Sequence, residues 1–95
     1  MKAKIIVNKM DEEGFNYCAW TDIIEWTLPI PVHGDSIEIE EDSPFEFSFQ
    51  QEPLNGKTAA DVLSDNDLKY VRKHYHLSGG EVVVKFYFGD WDSDW

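Results

Sequence analysis

Ninety-five residues with a formal charge of −11 fit one domain and leave no room for a second core. The 42% hydrophobic and 15% aromatic content is that of a folded chain, and the single Cys18 excludes both a disulfide framework and a multi-cysteine zinc site. The longest apolar runs, such as Ile5-Ile6-Val7 and Val82-Val83-Val84, are far too short for a membrane-spanning helix.

Alternation around Ile5 and Val7 predicts a first strand over Ala3–Lys9, closed by a turn at Asp11-Glu12-Glu13-Gly14. A strand pattern directly after Met1-Lys2, in place of a signal-peptide core, leads to the expectation of a cytoplasmic protein. Phe15, Tyr17 and Ala19 share one face of a second strand. Ile24, Trp26, Leu28 and Ile30 then continue with the opposite parity. A change of parity in a period-two pattern places a bulge or break near Thr21-Asp22, and a short helical turn capped by Thr21 is the alternative. Leu28-Pro29-Ile30-Pro31 is extended but outside any central strand, because each proline removes a ladder donor. His33-Gly34-Asp35 reads as a turn, Ser36–Glu40 as a strand, and Phe45, Phe47 and Phe49 as the apolar face of another.

The period then changes. Thr58-Ala59-Ala60-Asp61 and Ser64-Asp65-Asn66-Asp67 resemble helix caps, and Leu68, Val71 and Tyr75 have i, i+3, i+7 spacing. A helix is expected over 59–76, stopped by Gly79-Gly80 and followed by a final strand, Glu81–Phe88, with Val82, Val84, Phe86 and Phe88 inward. The expected fold is therefore α+β: a small antiparallel sheet or partly open barrel of about five strands in a single domain, 1–95. Residues 89–95 form an acidic, tryptophan-bearing tail.

Between Met10 and Gly56 there are twelve carboxylates and no Lys or Arg. Such a field repels phosphate backbones and anionic lipid, so neither direct nucleic-acid nor membrane binding is expected. It suits a basic protein partner. The residues singled out for that contact are Glu38, Glu40, Glu41, Asp42 and Glu46, with Asp90, Trp91, Asp92, Asp94 and Trp95 of the tail. The tail resembles in kind the acidic tips of bacterial single-stranded-DNA-binding proteins, which end in an aromatic residue and dock in basic pockets, although their Pro-Phe ending is absent. Leu28-Pro29-Ile30-Pro31-Val32-His33-Gly34-Asp35-Ser36-Ile37 resembles a pattern in small uncharacterised proteins of Bacteroides-type bacteria. That resemblance implies a β-rich fold with Gly34-Asp35 turning into a strand, and implies no activity.

Catalytic signals are weak. Gly34-Asp35-Ser36-Ile37 resembles the nucleophile block of GDSL-type hydrolases, but neither His74 nor His76 has the Asp three residues before it that such a serine needs. His74 and His76 point apart on a helix and would chelate only on an extended chain. No cofactor and no metal are expected, and Cys18 reads as a structural thiol. The expected function is a non-enzymatic interaction module, in its sharpest form an inhibitor or nucleic-acid mimic like phage anti-defence or nuclease immunity proteins. The rivals are a small-molecule-binding barrel or small hydrolase with a pocket among Tyr17, Trp20, Trp26 and Phe47, and a domain whose sheet edge or acidic face makes a homodimer.

Overall fold

The computed structural model describes residues 1–10, 16–39, 46–50 and 68–89. They form seven strands: β1 (Lys2–Met10), β2 (Asn16–Thr21), β3 (Ile24–Glu25), β4 (Ser36–Ile37), β5 (Phe47–Phe49), β6 (Leu68–Ser78) and β7 (Glu81–Gly89). The strand order is β4-β6-β7-β1-β2-β5, with β3 also paired to β1, and the sheet curls into a half-barrel. All junctions are antiparallel except β1–β7, where the first and last strands run parallel from Ala3 opposite Val84 to Asn8 opposite Gly89.

The α+β expectation is overturned: the described residues contain no helix, and the sheet is mixed. Of the helix expected over 59–76, residues 59–67 lie outside the described residues and 68–76 belong to β6. The physical reason is a bulge. Tyr70 faces Phe88 but Arg72 faces Tyr87, so Val71 is an extra residue on β6. Leu68 and Tyr70 meet the core before the bulge, whereas Lys73, Tyr75 and Leu77 take that face after it. The reset of parity leaves apolar residues seven apart, which imitates a helical repeat. Gly79 and Gly80, with φ of 57° and 81°, then form the two-residue type I′ turn of a β-hairpin rather than a helix stop.

The expected break near Thr21-Asp22 is a second bulge, not a helical turn. Trp20 faces Ile6 and Ile24 faces Ala3, so three steps on β1 match four on its partner. The extra residue deprives Ile5 of a ladder acceptor, and its N–H donates to Thr21 Oγ1 at 3.1 Å instead. The Val32–Asp35 turn also forms, with Gly34 at φ 103°, the Asp35 N–H donating to the Val32 carbonyl and the Val32 N–H donating to Asp35 Oδ2.

One face of the sheet holds the core: Ala3, Ile5 and Val7 of β1, Tyr17 and Ala19 of β2, Leu68 and Tyr70 of β6, and Val84, Phe86 and Phe88 of β7. Phe47 and Phe49 of β5 pack against it as their alternation implies, with Ser48 exposed between them. Trp26 lies against Phe86 with ring centroids 4.8 Å apart, Leu28 and Ile30 are exposed, and Val82, expected inward, is exposed as well. Burying side chains the size of Phe86 and Phe88 stabilises by about 2 kcal/mol each. Among the described residues there is no helix long and apolar enough to cross a membrane.

Candidate functional site

Charge and topology separate two regions. The seven strands hold seven of the eight Lys and Arg but only two of the nineteen Asp and Glu, Glu25 and Glu81. Glu38 follows β4 and Glu46 precedes β5, and both are exposed. Since β4 and β5 are the two ends of the strand order, the connection between them joins the outermost strands. Along 38–46 it carries Glu38, Glu40, Glu41, Asp42 and Glu46 with no Lys or Arg. Glu40, Glu41 and Asp42 lie outside the described residues, as do Asp90, Trp91, Asp92, Asp94 and Trp95 of the tail.

Two other carboxylates are committed to ion pairs. Glu25 Oε1 accepts from the Met1 amine at 2.7 Å, and Glu81 Oε1 accepts from Lys2 Nζ at 2.5 Å. The amine holds the Glu25 carboxyl below its ordinary value, and Glu81 holds the Lys2 ammonium above its own. Together they pin the start of β1 to its neighbours on both sides.

The cations gather on the β6–β7 hairpin. Alternation sets Arg72, His74 and His76 on the face away from the core, opposite Tyr87, Lys85 and Val83 of β7. Lys85 in turn faces Lys4 of β1, so His74, Lys85 and Lys4 form a row across three strands. The Arg72 guanidinium lies 4.6 Å from the Tyr87 ring centroid, a cation–π contact. His74 and His76 share a face, the extended arrangement that a helix would have prevented, and both are exposed. No group of three or more metal-ligating side chains occurs among the described residues.

The aromatic pocket is distributed otherwise than its sequence positions suggest. Tyr17 is buried on the core face of β2, while Trp20, three residues on, stands on the opposite face. The groove that forms, about 300 Å³, is lined by Trp26, Leu28, Pro29, Ile30, Pro31 and the Asp35–Ile37 segment, with Phe88 at its base. Trp26 Nε1 donates to the Pro29 carbonyl at 3.2 Å, which ties the proline segment to Trp26 along the groove. Ser36 of the hydrolase-like block lies on an edge strand opposite Lys69, and both the Asp35 backbone and carboxylate are occupied in the turn.

Sequence reading missed the groove and the basic hairpin face. The signal for the hairpin was present: a Gly-Gly pair between two segments rich in Tyr, Val and Phe. Comparison with known proteins finds no matching family model, no matching curated protein and no matching solved structure.

Proposed function

We propose that the protein is a non-enzymatic interaction module that binds a basic partner protein through the acidic connection between β4 and β5. The supporting observation is the partition of charge: five carboxylates without a cation over 38–46, joined to strands that hold seven of the eight Lys and Arg. Carboxylates that neighbour no cation in sequence steer and orient a cationic surface, and the contact weakens as salt screens it. The tail residues Asp90, Trp91, Asp92, Asp94 and Trp95 belong to the same reading, with the indoles as apolar anchors.

The test compares the wild-type chain with a variant carrying Glu38→Gln, Glu40→Gln, Glu41→Gln, Asp42→Asn and Glu46→Gln. Each is immobilised through an N-terminal tag, and lysate proteins retained at low and high salt are identified by mass spectrometry. A basic protein held by the wild type at low salt, released at high salt and not held by the variant supports the reading. Equal retention by both chains overturns it.

The groove favours a second reading, a small apolar ligand held between the proline segment and Phe88. A change in tryptophan emission on adding an apolar fluorescent probe, abolished by Leu28→Asp at the exposed lining of the groove, is the corresponding measurement.

A further inference from the structure

Among the described residues, β6 is an edge strand from Arg72 to Ser78. β4 meets β6 only at Lys69 and Leu68, and among the described residues no strand lies along the rest of that side. Every residue from Arg72 to Gly80 is exposed. In a two-residue hairpin the residues flanking the turn, here Ser78 and Glu81, exchange both backbone hydrogen bonds. Alternation along the ladder then directs the N–H and C=O of Leu77, Tyr75 and Lys73 away from β7. Those residues share the core-side face with Val82, but beyond the end of the core: Tyr75 is 50%, Leu77 74% and Val82 52% exposed. Among the described residues, outward backbone groups with no strand beside them and exposed apolar surface therefore coincide on one short strand.

We propose that this edge is a self-association surface, closed by β6 of a second copy running antiparallel about a two-fold axis through Tyr75. The regular stretch between the bulge at Val71 and the turn at Gly79 is Arg72–Ser78, and its midpoint is Tyr75. Centred there, the whole stretch pairs with itself, and Tyr75, whose backbone groups point outward, exchanges both hydrogen bonds with its counterpart. The side chains match as well. Each Lys73 faces a Leu77 and each Arg72 faces a Ser78, so no Lys or Arg opposes another, whereas an axis through Lys73 sets two ammoniums against each other. On the other face, His74 of each copy lies opposite His76 of its mate. That gathers four imidazoles, the donor number of a tetrahedral zinc site, from a chain that alone offers two. This surface is separate from the acidic connection and stands or falls independently of it.

Sedimentation velocity of the full chain, from micromolar to near-millimolar concentration, with and without zinc chloride, tests the proposal. The expected result is a reversible monomer–dimer equilibrium that one zinc ion per two chains tightens, with the zinc effect absent in His76→Ala. Leu77→Lys sets an ammonium opposite Lys73 twice in the dimer and is expected to weaken association about ten-fold. Adding Lys73→Glu to it restores association. Both positions are exposed, and circular dichroism and Tm confirm that each variant retains the sheet. A monomer at every concentration with and without zinc overturns the proposal, as does a dimer indifferent to Leu77→Lys or to zinc.

Discussion

Thr21, 1% exposed, is the buried polar side chain of the described core, and its hydroxyl accepts the one N–H that the bulge leaves without a ladder partner. Thr21→Val keeps the shape and removes the acceptor, so a buried donor is left unsatisfied. The expected loss is about 1–3 kcal/mol in urea unfolding, with Thr21→Ser close to wild type. Cys18 faces Asn8 across the β1–β2 ladder, half-buried, and desolvation raises its thiol above the ordinary range. Less thiolate at pH 8 means slower alkylation than that of a free cysteine, and unfolding in urea should restore the ordinary rate. Glu25 supplies a pH dependence of definite sign. Its folded carboxyl titrates lower than the unfolded one, so its stabilisation is present above the ordinary carboxylate range and is lost as pH falls through the depressed value. Glu25→Gln is expected to flatten the acid limb of Tm against pH. Lys2 acts at the other end: with its folded value raised, its contribution holds at neutral pH and is lost only above the ordinary lysine range.

At the scale of elements, two bulges and one turn decide which residues face the core. Gly79 and Gly80 both have positive φ, and a Cβ at either meets nothing within 4 Å, so substitution there is limited by backbone conformation alone. Gly79→Asn suits the left-handed region of a type I′ turn and should be nearly neutral, whereas Gly79→Val should cost at least about 1–2 kcal/mol, read by chemical denaturation. Val71 tests the bulge itself. With the hairpin register set by the turn, deleting Val71 removes the bulge and leaves a regular ladder in which Tyr70 still lies opposite Phe88 and Leu68 still shares the core face. The expected outcome is a retained cooperative thermal transition. These bulges also explain which elements were legible in the sequence. β1, β2, β5 and β7 could be read because each keeps one parity throughout, as Ile5-Val7, Tyr17-Ala19, Phe47-Phe49 and Val84-Phe86-Phe88 show. β6 could not, because a strand that changes parity at Val71 gives the same seven-residue apolar interval as an amphipathic helix.

For the whole molecule, the margin is narrow. A chain of this size is stable by about 5–14 kcal/mol, and Phe86, fully buried against Trp26, is worth a large part of it. Phe86→Ala is expected to cost about 3–5 kcal/mol and to change Trp26 emission, both measurable in one urea titration. Strands β1, β2, β5 and β7, the turn at Gly34, the place of the bulge near Thr21 and the cation-free acidic run follow from the sequence alone, because period, parity and composition are local and survive in one dimension. The acidic candidates Glu38 through Glu46 were legible for the same reason: a run without cations is visible wherever it falls. Tertiary structure alone decided that β1 and β7 pair in parallel at the centre of the sheet, since such a pairing joins opposite ends of the chain and leaves no periodic mark. It likewise decided that the proline segment lines a groove and that, among the described residues, β6 ends as an exposed edge. Those features depend on what lies beside a strand, which no pattern within the strand records.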